Sequence, residues 1–226
     1  MYFIQKNLTK LNNNQHTFFL DPKELKEIQK KLKSTEYHIY YPYKDSEKNI
    51  IYKNKEPQIL LYEIKSKIPL RHQDILGSLY SLNISSELFG DIIINQNRYF
   101  IYILPLISSY FEANFLTIKN SHITLELLDI NYLKDYERNY EKIELIVSST
   151  RIDTIISNIC HISRSNINNM IKKKEIIINY DFLTSTSYKL KEHDVFSIKK
   201  VGKFKYNGIL KSTKSNNLII EILKYI

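Results

Sequence analysis

Tryptophan is absent from these 226 residues, cysteine occurs once and glycine only four times. A single thiol, Cys160, cannot close an intramolecular disulfide, which fits a reducing compartment better than a stapled secreted framework. It also cannot build a zinc knuckle, and the six histidines are scattered with no His-Glu-x-x-His pair. None of the four glycines falls in a Gly-x-Gly-x-x-Gly or P-loop pattern, so no glycine-rich phosphate cradle is expected. His72 with Asp74 and His193 with Asp194 occupy a helix start and a turn, where capping or surface roles are expected before catalysis. Neither a metal nor a small-molecule cofactor is anticipated. The most apolar run, Tyr99 to Phe111, is too short to cross a bilayer and contains Pro105. At the N-terminus, MYFIQKNLTK turns polar before an export core can form. A cytoplasmic protein without a membrane partner is the expectation.

What the chain does have is apolar mass and lopsided charge. Hydrophobic residues make up 43% of it, enough for genuine cores in one large or two to three small domains. The net charge is +9, yet residues 1–145 hold 19 basic and 18 acidic side chains, against 14 and 6 in residues 146–226. The excess therefore lies at the C-terminal end. Such asymmetry suits a polyanion, because neutralising phosphates releases counterions. A solvated basic surface is the plainer alternative; an anionic membrane fits poorly, since the basic residues interleave with a core-forming pattern.

In chain order, Asp21 followed by Pro22 marks a helix start, with Leu25, Ile28 and Leu32 at helical spacing and a helix expected to about Lys33. Tyr37 to Tyr41 and Ile50 to Tyr52 read as short strands joined by a polar turn. From about Glu56 to Leu128 the pattern is strand, helix, strand, strand, helix, strand. Its parts are Ile59–Ile64, HQDILGSLYSL, Asp91–Ile94, Tyr99–Leu104, Leu106–Asn114 and Ile118–Leu128. That order is the ferredoxin-like arrangement shared with common RNA-recognition domains. Arg98, Tyr99, Phe100 and Tyr102 form its one basic-aromatic cluster, which could stack on bases or simply fill a core. Asn131 to Glu144 is highly charged and reads as a connecting helix or a strand extension.

The stretch from Ser148 to Asn179 is the most informative. Ile152, Ile155, Ile156 and Ile159 line one helical face; Ser149 or Thr150 can cap its start and Asp153 suits its first turn. Ser163 can cap a second helix whose apolar stripe is Ile167, Met170 and Ile171, followed by a strand at Ile176–Ile178. Cys160 lies beside the first stripe and is expected to be a buried structural thiol. Arg151, Arg164, Lys172, Lys173 and Lys174 are left outside. Beyond Asn179, strands are expected at Tyr188–Leu190, at Val195–Ile198, through KKVGKFKYNGIL and at Leu218–Ile226.

These residues resemble the S-four RNA-binding domain family. Arg151-Ile152-Asp153 matches the family's opening Arg-Leu-Asp, Ser163-Arg164-Ser165 its Ser-Arg-Ser, and Lys172 to Asn179 its basic helix end and following strand; Asp194 matches a later Asp. Lys174 and Tyr180 stand where that family usually has glycine. HQDILGSL and LFGDIII further resemble segments of the YlmH family, with Gln73 in place of an Arg, and KVGKFKY resembles its Gly-Arg-Phe-Lys, with Lys203 in place of the Arg. YlmH proteins join a small N-terminal module, an RNA-recognition-like module and a C-terminal S-four domain.

The resulting expectation is an α+β, multidomain chain: an N-terminal α/β module over 1–56, a ferredoxin-like module over 57–142 and an S-four-type domain of two helices and a small sheet over 143–226. Arg151, Ser163, Arg164, Ser165, Lys172, Lys173, Lys174 and Asn179 are the expected RNA-contacting residues, with Lys203 and Lys205 extending the same surface. The expectation is a non-enzymatic, monomeric RNA-binding protein, and the resemblance implies that it binds structured rRNA or tRNA on the large ribosomal subunit, in quality control or assembly. A protein-interaction adaptor linked to cell division and an RNA-modifying enzyme are the alternatives; no catalytic motif supports the latter.

Overall fold

The computed structural model describes residues 2–13, 15–33 and 36–225. Helix and sheet are mixed throughout, and the chain forms two compact units, residues 1–137 and 138–226.

The first unit opens with helices α1 (Tyr2–Asn12) and α2 (Pro22–Gln29). α2 begins where Asp21-Pro22 predicts. The Asp21 carboxylate accepts from the Glu24 backbone N–H and Glu24 accepts from that of Asp21, a reciprocal cap that satisfies two otherwise orphaned donors. Strands β1 (His38–Tyr40) and β2 (Ile50–Tyr52) then pair antiparallel.

There follow β3 (Leu60–Ser66), α3 (His72–Ser81), β4 (Phe89–Asn95), β5 (Arg98–Ile103), α4 (Ser108–Asn114) and the short β6 (Thr117–Ile118) with β7 (Ser121–Leu128). The expected second helix is only partly α-helical: Pro105–Ile107 forms a 3₁₀ turn before it. The sheet order is β4-β5-β3-β7-β6, antiparallel at every pairing. Gln96 and Asn97 both take positive φ in the β4–β5 hairpin, a conformation Asn tolerates well.

Both faces of this sheet are covered. Tyr62, Ile64, Ile92, Tyr99 and Ile101 pack with Ile75 and Leu79 of α3 and Phe111 of α4. On the other side Leu61, Ile93, Phe100 and Tyr102 pack with Phe18, Phe19, Tyr43, Ile50 and Leu133. Gly90 makes this second contact possible, because a Cβ there would stand 2.9 Å from the Phe19 ring and 3.1 Å from the Tyr102 Cβ. Asp91 ties the loop to the sheet: it accepts from the Tyr43 hydroxyl at 2.6 Å and from the Glu47 backbone N–H at 2.7 Å. The segment after β7 turns through a 3₁₀ helix, Ile130–Leu133.

The second unit opens with β8 (Tyr140–Val147), so the charged connector is a strand extension rather than a helix. Helices α5 (Ile152–Cys160) and α6 (Arg164–Lys172) come next, then β9 (Ile176–Ile178), β10 (Asp181–Phe182), β11 (Val195–Ile198), β12 (Gly202–Ser212) and β13 (Leu218–Tyr225). The last expected strand residue, Ile226, lies outside the described residues. Tyr188–Leu190 is not a full strand but an isolated bridge, Lys189 to Arg151, with flanking backbone hydrogen bonds. All six strands form one antiparallel sheet, ordered β10-β9-β11-β12-β13-β8.

One core serves this unit. Ile152, Ile155, Ile156 and Ile167 meet Ile176, Ile178, Phe196, Phe204, Tyr206, Ile220 and Ile222. The 3.6-residue periodicity of the helices and the two-residue alternation of the strands therefore point inward together. Cys160 packs against this core, and burial pushes its thiol pKa up, as a structural thiol requires.

Candidate nucleic-acid interface

The helix pair is held by local hydrogen bonding. His161 adopts a left-handed conformation, φ 53°, to end α5, and the Ser157 hydroxyl donates to the Ile162 carbonyl at 2.6 Å across the link. Ser163 caps α6 as its sequence predicts, accepting from the Asn166 backbone N–H; its hydroxyl lies 2.8 Å from that of Ser165.

The start of α5 is built differently from expectation. Neither Ser149 nor Thr150 caps it; Arg151 occupies the cap position and makes no side-chain cap bond. The guanidinium instead clasps Asp153, with Nε to Oδ1 at 3.1 Å and Nη2 to Oδ2 at 2.7 Å. Asp153 is almost wholly buried and also accepts from the Thr154 backbone N–H at 2.8 Å. Its carboxyl pKa is held low, chiefly by the Arg151 hydrogen bonds, and the charge of Arg164 adds to the effect. The charge of Arg164 thus reaches the carboxylate that Arg151 clasps. Two of the Arg151 donor groups are engaged within the protein, so Arg151 positions the α5 start more than it offers an open phosphate contact.

Arg164, Ser165 and Lys172, Lys173 and Lys174 are all exposed. Among the described residues neither Arg164 nor Lys172 nor Lys173 is paired to a carboxylate. Lys174 takes the left-handed turn, φ 56°, that glycine would otherwise occupy, and the Glu175 N–H donates to the Met170 carbonyl to close the helix. The substitution keeps the turn. It adds a cation at the helix end, whose ammonium sits 5.4 Å from the Phe182 ring centroid.

Asn179 has a structural occupation. Its Nδ2 donates to Asp194 at 2.7 Å and its Oδ1 accepts from the Val195 N–H at 3.0 Å. Asp194 also accepts from the Tyr188 hydroxyl and the Lys191 N–H. Asn179 and Tyr180 both have positive φ, forming the tight turn between β9 and β10. Both of Asn179's side-chain polar atoms are spent on pinning that turn.

Lys203 and Lys205 do not extend the helix-pair surface. On β12, Phe204 and Tyr206 point into the core beneath the helices, so the alternate residues 203 and 205 project from the opposite sheet face. The sequence pattern carries this alternation in KFKY; what it lacks is which face the helices cover.

The aromatic cluster of the first unit is not an interface. Tyr99, Phe100 and Tyr102 are at most 3% exposed, divided between its two cores. Arg98 forms a bidentate pair with Glu63, both bonds 2.8 Å, and donates to the Tyr132 hydroxyl at 2.5 Å. Phe100 and Tyr102 are covered by Phe18, Phe19 and Tyr43, and Tyr99 lies in the core beneath α3 and α4.

Residues 53–132, the segment that folds into this double-faced sheet, match the family model described as "Putative RNA-binding domain in YlmH". Among curated proteins the chain is similar to "Ribosome-associated protein quality control protein P2" of Bacillus subtilis (strain 168), at 22% identity over 149 residues. That alignment takes in 66% of this chain and 58% of the relative, so the chain spans well under two thirds of the relative's length. A solved structure, "Cell division protein ylmH from Streptococcus pneumoniae", is similar at 20% identity and a TM-score of 0.49, covering 59% of this chain and 93% of that one.

Proposed function

We propose that this chain is a non-enzymatic, monomeric, cytoplasmic RNA-binding protein that engages structured rRNA or tRNA on the large ribosomal subunit, in quality control or assembly. One observation carries the reading: Arg164 and Lys172–Lys174 stand exposed on a rigid helix pair, in a unit with 16 basic and 8 acidic side chains, where residues 1–137 carry 17 and 16. The match of residues 53–132 to an RNA-binding family model and the ribosome-associated relative both support it.

Arg164 and the lysines meet phosphates, and Arg151 fixes the helix start through Asp153. Unpaired backbone N–H groups at the capped start of α6, beside Ser163 and Ser165, add donors for an anion. Selectivity comes from the shape and phosphate spacing of a folded RNA. The module assignment that accompanies this reading is an N-terminal module over 1–56, a ferredoxin-like module over 57–142 and an S-four-type domain over 143–226. Its support is the βαββαβ order with antiparallel β4-β5-β3-β7 pairing, and two helices packed on one face of a small sheet.

Filter binding of the full chain to rRNA fragments and tRNA tests the proposal. Affinity should fall steeply with salt, and the double charge reversal Arg164→Glu, Lys172→Glu should weaken binding about a hundredfold while leaving stability within about 0.5 kcal/mol. Undiminished binding in that variant would discard the helix-pair surface. Cosedimentation with large ribosomal subunits tests the ribosomal part.

A further inference from the structure

The second unit's sheet has a face that its helices do not cover, and one cross-strand row on that face carries aromatic rings at both ends with cations set against them. Phe182 on β10 stands opposite Ile177 on β9, Ile177 opposite Ser197 on β11, and Ser197 opposite Lys203 on β12. The Lys203 ammonium lies 4.8 Å from the Tyr225 ring centroid on β13 and 5.2 Å from that of Tyr180 in the β9–β10 turn. Tyr225 pairs with Tyr140 on β8, their rings edge to face at 5.1 Å, and the Arg138 guanidinium is 5.8 Å from the Tyr225 centroid. At the other end Lys174 sits over Phe182. The row crosses all six strands.

Packing does not account for it. The unit's core is complete on the helix side, yet Phe182 is 51% and Ile177 36% exposed on the other. The next row along, Lys205, Leu223 and Lys142, adds two more cations. Acidic residues border these rows: Lys142 pairs with Glu221 at 3.9 Å, Glu144 faces Glu221, and on the other flank Glu175 pairs with Lys199 at 4.0 Å. A solvated hydrophobic edge would favour a protein partner, but cations set beside ring after ring favour a ligand that is both anionic and aromatic. Successive nucleobases stacked on rings, with phosphates beside ammonium groups, meet that description.

We propose that this sheet face is a stacking platform for single-stranded RNA, separate from the helix-pair surface and resting on the RNA-binding reading above. Phe182 and Tyr225 take bases; Lys203, Lys205 and Arg138 take the intervening phosphates. The strand spacing of about 4.8 Å sets the lateral pitch of the row.

Fluorescence titration of the full chain with an eight-nucleotide single-stranded RNA carrying 2-aminopurine tests this, with an RNA hairpin as the second probe. Stacking should quench the 2-aminopurine. Tyr225→Ala should weaken oligonucleotide binding about tenfold, and Phe182→Ala and Lys203→Gln severalfold, with hairpin affinity unchanged. Because Tyr225 packs on Tyr140, the exposed Phe182 variant guards against misfolding as the cause. Arg164→Glu, Lys172→Glu should lose the hairpin and keep the oligonucleotide. Hairpin binding without oligonucleotide binding overturns the platform alone, and binding of neither RNA overturns both readings. Oligonucleotide affinity unchanged in Phe182→Ala, with self-association weakened, would make the face a protein interface and overturn the proposal.

Discussion

The two sheets of this protein spend the same kinds of residue in opposite ways. In the first unit Phe100 and Tyr102 lie on a sheet face sealed by Phe18, Phe19 and Tyr43, and Arg98 is clasped by Glu63. In the second, Phe182, Tyr180 and Tyr225 lie on a face that no helix covers, each with a lysine or arginine beside it. Aromatic and basic residues close together in sequence are therefore no guide to a nucleic-acid surface until it is known whether another segment reaches the face first. Charge follows the same division, nearly balanced in the sealed unit and twofold basic in the open one.

The largest effect that would sharpen this contrast is on stability. Phe100→Ala should cost about 3–5 kcal/mol in chemical denaturation, since it empties a filled core. RNA affinity of the protein that remains folded should not change. A loss of RNA binding without loss of stability would mean that the first sheet's aromatics are exposed to ligand after all.

A middle-sized effect belongs to the α5 start. Asp153→Asn removes the charge of a buried carboxylate clasped by a part-exposed Arg151 and should destabilise by about 1–3 kcal/mol, with RNA affinity falling because Arg151 no longer fixes the helix pair. The pH dependence has a definite sign. The Asp153 pKa is lower in the folded chain than in the unfolded one, so its contribution is present above the ordinary carboxylate value and is lost as pH falls through the lowered folded value. Acid titration of the wild type, followed by circular dichroism, should show that loss, and Asp153→Asn should lack it.

A further effect, seen only as a pH slope, lies in the sealed unit. Lys48 donates to the Ser86 and Phe89 carbonyls, and burial lowers its pKa to about 8 against the attraction of Asp91 and Glu24. Its charged form is thus disfavoured on folding, so stability should fall as pH drops from the unfolded lysine value toward about 8 and level off below. Lys48→Met should remove this slope between pH 8 and 10, as read from denaturation midpoints.

Much of the fold is legible in the chain because periodicity is local. Asp21-Pro22 marks α2, the isoleucine spacing marks α5 and Ser163 marks the start of α6. Each rests on residues within one or two turns of each other. The start of α5 was not legible, since Ser149 and Thr150 have suitable side chains and the backbone there is held instead by the distant Tyr188–Leu190 segment, with Asp153 clasping Arg151. Lys174 was legible only as a missing glycine; its left-handed turn needed the Glu175–Met170 bond to be seen.

The sequence by itself determined which residues are apolar at helical or strand spacing, where charge accumulates, and hence that Arg164 and Lys172–Lys174 face away from a core. Only the tertiary structure decided which sheet faces are covered. That the N-terminal segment seals Phe100 and Tyr102, that Asn179 is consumed by Asp194, and that Lys203 lies behind the helix pair beside Tyr225 all depend on contacts between residues far apart in the chain. Alternation along a strand assigns residues to two faces, but which face is buried is settled by what packs there, and that is not written in the strand.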